Sequence, residues 1–208
     1  MAYYPLCLEM TERRCLVVGG GPVAERKVAG LLEAGARLTV VSPSATDRLR
    51  DWARTDRVRL LLREYAASDL RGHSIVFVAT DDGRVNAHVA RDAREAGVLI
   101  NAADDPAHCD FILPAVLRRG ELTVAVSTGG TSPALARTVR DELDAYLDRE
   151  DYTALARVAA DARRTLRDRG TRAPWEQWRA ALGGEVRELV RADRLDAARE
   201  RLLDGLRG

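Results

Sequence analysis

Three stretches of the chain hold residues whose types and spacing can do chemistry. In the first, Gly19-x-Gly21-x-x-Ala24 sits between an apolar run and a helical one. Gly19 there allows a tight turn, Gly21 lets the backbone approach a pyrophosphate, and Ala24 lets helix and strand pack closely. Backbone N–H groups at the N-terminus of the helix that the motif opens, at the positive end of its dipole, can then hold the phosphate charge. In the second, Asp104 and Asp105 precede Pro106, just past a predicted strand. A carboxylate at a strand's carboxyl end can move a proton for a bound ligand, and Asp-Asp-Pro equally well makes a plain turn. Both readings stand on the residues alone. In the third, Ser127, Thr128, Gly129, Gly130, Thr131 and Ser132 run into Pro133 and a helix. Hydroxyls and amides ahead of a helix N-terminus suit an anionic ligand, and helix capping is the plainer alternative. The loop is taken here as a binding site. Arg137 and Arg140 on its helix stay unassigned.

The dinucleotide motif lacks one part. An acid that bonds the ribose 2′-OH usually lies about 20 residues further on. Val41-Ser42-Pro43-Ser44 occupies that place, with no Asp or Glu and with Arg48 some way beyond. A serine hydroxyl or a backbone amide would have to serve instead. The motif therefore does not choose between NAD and NADP. His108 and Cys109 lie near Asp104 but have no ligand spacing, and His73 and His88 are elsewhere, so no metal site is expected. Trp175 and Trp178 share a helical face whose simplest role is packing.

The surrounding pattern supplies the elements that must hold these residues. Cys15–Val18, Arg37–Val41, Val58–Leu62, Ile75–Ala79 and Val98–Ala102 read as buried parallel strands. Helices are expected from Ala24 to Gly35 and from Asn86 to Gly97. Strand and helix alternating in this way predict a Rossmann-like α/β sheet. After Pro106 the pattern changes: Phe111–Leu117 and Leu122–Val126 suggest a hairpin. A helix capped by Ser132 follows, with Leu135, Val139, Leu143 and Tyr146 as its buried stripe. From Asp151 onward three or four short helices are expected, the last capped by Asp193. The expected division is 1–113, 114–148 and 149–208: a dinucleotide-binding domain, a small α+β dimerisation and substrate-loop region, and a helical C-terminal domain.

Composition excludes more than it indicates. The 208 residues carry a formal net charge of +1, which points to neither nucleic acid nor an anionic membrane. No window reaches the roughly 18 consecutive apolar residues of a membrane span, and Met1–Met10 lacks the form of a signal peptide. Three cysteines without CxxC spacing suit a reducing cytoplasm. Lys27 is the chain's one lysine among 33 basic residues, a bias most simply ascribed to codon usage.

Several blocks taken together resemble the precorrin-2 dehydrogenase family of sirohaem biosynthesis. They are Cys15–Lys27, Leu32–Val40, Ala79-Thr80-Asp81-Asp82 with Asn86, Asn101–Asp104, Phe111–Pro114 and Ser127–Pro133. The resemblance is close over residues 1–147, and the helical tail agrees in type. It implies a homodimeric cytoplasmic enzyme that oxidises precorrin-2 to sirohydrochlorin with NAD. Some members also insert ferrous iron, and some are fused to a methyltransferase. It implies Asp104 as the acid–base residue, and a cofactor site at Gly19, Gly21, Pro22, Val23, Ser42, Pro43, Ser44, Thr80 and Asp81. Asn101 and the 127–132 loop become substrate-binding candidates. Iron in this family is a substrate, so no resident metal is implied. The competing class is an NAD(H)-sensing regulatory module, which shares the glycine loop and the turn after the fourth strand but has no use for Asp104 or the 127–132 loop.

Overall fold

The computed structural model describes residues 3–103 and 105–207, which form two compact units, Met1–Ile112 and Leu113–Gly208. In the first unit β1 (Arg14–Val18), β2 (Arg37–Val41), β3 (Val58–Leu61), β4 (Ile75–Val78) and β5 (Leu99–Ala102) form a parallel sheet in the order β3-β2-β1-β4-β5. The order reverses between β2 and β4 around β1, so a crevice opens at the carboxyl ends of those three strands. The expected Rossmann-like sheet is present, with strand ends shifted by one residue at most.

Alternation along each strand serves two helical layers. Cys15, Val17, Val40, Ile75 and Phe77 pack beneath α1 (Pro22–Glu33) and α2 (Asp47–Arg54). Leu16, Val18, Val76, Val78 and Ile100 pack beneath α3 (Gly83–Ala96). Leu16, Val17 and Cys15 are wholly removed from solvent. Each such aliphatic side chain contributes about 1.5–3 kcal/mol by its burial. Gly97 ends α3 in the left-handed conformation, φ 66°, and donates back to Ala93 and Arg94.

Helix α2 has no counterpart in the sequence reading. Its eight residues, DRLRDWAR, bury only Leu49 and Trp52. Thr46 caps it by accepting from the Leu49 amide, and its remaining residues apart from Ala53 are charged. So short an apolar face carries little periodicity to read.

In the second unit β6 (Ala115–Arg119) and β7 (Leu122–Val126) form a hairpin that turns through Gly120 at φ 57°; its first strand begins four residues later than expected and takes in Arg118 and Arg119. Helix α4 (Pro133–Arg149) starts at Pro133 with the Ser132 hydroxyl accepting from Leu135 N. Its expected buried stripe is corrected. Leu135 and Tyr146 are 54% and 44% exposed, Val139 and Leu143 are half-buried, and Ala136 is the one buried residue of the helix. The periodicity is real, but the unit offers no apolar layer wide enough to cover it. Helices α5 (Tyr152–Asp168), α6 (Trp175–Ala181), α7 (Gly184–Arg191) and α8 (Leu195–Gly205) share a core of Leu155, Val158, Ala162, Val190 and Leu202. Asp193 does not cap α8; it adopts φ 54° in the turn before Arg194, which takes the N-cap position without a side-chain bond.

Candidate functional site

Strand β1 runs straight into Gly19-Gly20-Gly21, and each glycine meets a different demand. Gly19 has φ 119°, and a Cβ there would lie 2.3 Å from the Ala79 carbonyl oxygen. Its amide donates to Val41 O, which binds the turn to β2. A Cβ on Gly20 would lie 2.0 Å from the Ser44 carbonyl oxygen, so the Ser42–Ser44 turn presses on the backbone of the glycine loop. Gly21 differs: a Cβ there would have no protein atom within 4 Å. Nothing in the fold requires glycine at position 21. Open space beside it is what a ligand approaching the backbone requires.

Gly21 is also the N-cap of α1 and brings no side-chain cap. Pro22 has no N–H to satisfy, and the amides of the first turn lack partners within the helix. An uncapped helix start, positive by its dipole, faces the open space and fits a pyrophosphate. Ser42 lies at the carboxyl end of β2, 8% exposed, and Pro43 and Ser44 follow it into solvent. No carboxylate stands at this strand end. Arg48 is paired instead with Glu25 of α1 at 3.5 Å and lies over the Trp52 ring.

On the other side of β1, Thr80 and Asp81 follow β4. Thr80 Oγ1 accepts from Asp82 N at 2.9 Å, and the Asn86 amide donates to Thr80 O at 3.2 Å. Asn86 is 7% exposed, and its Oδ1 is buried with no hydrogen-bond partner. Asp82 caps α3 by accepting from Arg84 N and Val85 N, which holds its carboxyl below the usual range. The structure thus gathers the glycine loop, the Ser42–Ser44 turn and the Thr80–Asp81 turn at one end of the sheet.

Asp104 lies outside the described residues. Before it, Ala103 N donates to Val78 O at 2.9 Å, so the chain leaves β5 along the carboxyl end of β4. After it, Asp105 Oδ2 and His108 Nδ1 are 2.6 Å apart. The loop then closes on the strand it left. Cys109 Sγ lies 3.2 Å from both Ala102 O and Ala102 N, and Asp110 exchanges two 2.9 Å bonds with Ile100. Burial raises the Cys109 thiol. Asn101 is 6% exposed, and both ends of its amide are engaged: Oδ1 accepts from Lys27 Nζ, and Nδ2 donates to Phe111 O, each at 2.9 Å. Among the described residues no group of three or more His, Cys, Asp or Glu could hold a metal.

The 127–132 loop belongs to the second unit and is described by itself. Its hydroxyls serve its own backbone. Ser127 Oγ accepts from Gly129 N at 3.1 Å, Thr128 Oγ1 donates to Ser132 O at 3.0 Å, and Thr131 Oγ1 donates to Thr128 O at 2.7 Å. Gly129 and Gly130, at φ 64° and 85°, make the turn and have open space around their α-carbons. These bonds pre-form the loop, and together with Thr131 N to Thr128 O and Ser132 N to Thr128 Oγ1 they engage the amides of Gly129, Thr131 and Ser132.

Two positions escaped the sequence reading. Gly20 was hidden as the variable residue of the motif, although three glycines in a row announced it. Lys27 was visible as a solitary lysine, but only the fold shows where its ammonium goes.

Residues 6–115 match the family described as “Putative NAD(P)-binding”, and residues 119–146 match the one described as “Sirohaem biosynthesis protein central”. The siroheme synthase of Methylococcus capsulatus is 40% identical over 206 residues, which are 98% of this chain and 43% of that protein. That of Nitrosococcus oceani is 38% identical over 210 residues, covering 100% and 45%. The chain thus spans less than half the length of these relatives. A solved structure titled “SirC, precorrin-2 dehydrogenase” superposes with a TM-score of 0.76 at 26% identity, covering 96% of this chain and 100% of that one. The glycine cradle and the matches on either side of residue 115 agree: the chain belongs to the NAD(P)-binding family that carries the sirohaem-biosynthesis central segment.

Proposed function

We propose that the chain is an NAD-dependent dehydrogenase that oxidises precorrin-2 to sirohydrochlorin in the cytoplasm. The observation that carries this reading is the superposition, over nearly the whole of both chains, on a precorrin-2 dehydrogenase. The nicotinamide of a bound dinucleotide supplies the hydride acceptor. The protein's part is to bind, orient and move protons. Gly19, Gly20 and Gly21 bring the backbone against the phosphates, with Pro22 and Val23 opening the helix behind them. Ser42, Pro43 and Ser44 line one side of the cradle, and Thr80 and Asp81 the other. With no carboxylate after β2, ribose recognition falls to serine hydroxyls and backbone amides.

Oxidation removes a hydride and releases a proton, and Asp104 is the residue assigned to take it. Its support is that Ala103, the residue before it in the sequence, donates to Val78 O at the carboxyl end of β4, where open α/β sheets bind ligands. Asn101 in the first unit is assigned to substrate binding, and so, by itself, is the 127–132 loop of the second. The positive end of the α4 dipole, which the loop precedes, suits the substrate's carboxylates. Insertion of ferrous iron into the product is a weaker second claim that rests on the family resemblance, and the parts 1–113, 114–148 and 149–208 divide cofactor, dimer and helical roles. The chain works as a homodimer, which would cover the apolar residues that α4 leaves exposed.

The test is anaerobic NADH formation from precorrin-2 made in situ, with NAD and NADP compared and ferrous iron added afterwards. Sirohydrochlorin formed in step with NADH supports the reading. Cofactor binding without any turnover overturns it in favour of an NAD(H)-sensing module. Asp104→Ala is expected to bind NAD normally and lose turnover by about 100-fold or more; an undiminished rate removes Asp104 from the chemistry.

A further inference from the structure

Lys27 stands in the middle of α1, half-buried, one residue before the fully buried Val28. Its ammonium lies 5.5 Å over the Phe77 ring and donates to Asn101 Oδ1 at 2.9 Å. Asn101 is buried on β5 beside Phe77 in the strand register, and its other end holds Phe111 O. Phe111 in turn meets Phe77 edge-on. A continuous line of contacts therefore joins α1, whose first turn forms the nucleotide cradle, to the far end of the loop that leaves β5 at Ala103 and returns at Cys109–Phe111. That loop carries Asp104.

Composition sharpens the point. Of 33 basic residues in the chain, 32 are arginine, and Lys27 is the exception. Whatever drives lysine to arginine elsewhere has not done so here. The site gives a reason. An ammonium is a compact donor that can sit over one ring and bond one amide oxygen. A guanidinium is larger and planar, with its N–H donors in a fixed fork, and cannot place a single donor over the Phe77 ring and on the Asn101 oxygen in the same way.

We propose that Lys27 is a positioning residue. Its ammonium fixes the Asn101 amide and so ties the cofactor helix to β5 and to Phe111, where the chain returns to the sheet after the segment that follows Ala103. The role assigned to Asp104 rests on the function proposed above; the tie between helix and loop does not.

The decisive measurement is hydrogen–deuterium exchange over residues 103–111 in Lys27→Met, Lys27→Arg and Asn101→Ala. Methionine keeps the length and suits the Phe77 ring, so the fold and the affinity for NADH should be retained, the latter within about twofold. Exchange in the loop is expected to rise about tenfold in Lys27→Met and in Asn101→Ala, which cuts the same line at its other end. Arginine is expected not to restore it. With precorrin-2, kcat should fall about tenfold in Lys27→Met while KM for NAD stays put. Exchange at the wild-type level in Lys27→Met, or full restoration by arginine, overturns the proposal whatever the rate does. A wild-type chain that never turns over precorrin-2 defeats the functional reading, while the exchange result still decides Lys27.

Discussion

The three glycines after β1 do different work, and substitution can separate them. At Gly19 a side chain would collide with the Ala79 carbonyl and force a non-glycine residue to φ 119°, so Gly19→Ala should lose on the order of 3 kcal/mol of stability. Gly21→Ala meets open space and should cost less than about 1 kcal/mol, the loss expected at an N-cap. Its methyl would instead stand where the phosphates approach, so NAD affinity should drop on the order of tenfold. Urea melts and NADH titrations of the two variants check both halves; a Gly21→Ala protein that binds normally would place the phosphates elsewhere. His73 gives a pH signature. Burial holds its pKa below the ordinary histidine value, its Nε2 lies 3.2 Å from Thr39 Oγ1, and its Nδ1 is buried without a partner. The unfolded chain therefore takes up this proton first as pH falls. The stability due to neutral His73 is complete above about pH 6.5 and declines below it, toward the lowered folded value. In His73→Gln that decline should be missing from melts run between pH 7.5 and 5.

Strands and capped helices were legible because their signals are local. Val and Ile runs, Gly97 after α3 and the Ser132-Pro133 start of α4 each act within a few residues. What stayed hidden depended on partners distant in sequence. Helix α2 rests on two buried residues, and the Lys27–Asn101 bond spans 74 positions. The stripe on α4 was legible as a pattern, but a pattern does not name the surface that covers it. Helix α5 shows an element resting on one residue. Asp151 adopts φ 44° and its carboxylate accepts from Ala154 N at 3.1 Å. Asp151→Ala loses the cap and keeps the awkward backbone, so a loss of about 1–2 kcal/mol is expected in thermal melts. Asp151→Asn, which tolerates that backbone and can still accept, should lose much less.

At the scale of the molecule, the second unit leaves apolar side chains and strand edges uncovered. A two-stranded hairpin is marginal alone, both of its edges are open, and Leu135 and Tyr146 lie in solvent beside it. The proposed homodimer should sediment at twice the chain mass of 22.9 kDa, and Leu135→Asp should shift it toward monomer. A wild-type monomer at micromolar concentration would refute that assembly. Among the described residues no helix is long and apolar enough to cross a membrane, and the three cysteines are free thiols.

Those thiols form a graded series. Cys7 is exposed, Cys109 half-buried, and Cys15 lies buried in β1, the central strand of the sheet, where burial pushes its pKa up to about 11. Alkylation needs a thiolate within reach of the reagent, so a maleimide should consume Cys7 in the mixing time and Cys109 slowly. Cys15 should react only as fast as the sheet opens. The slowest labelling phase of the native chain is thus a clock for its rarest event, readable by mass spectrometry without denaturant and without a substrate.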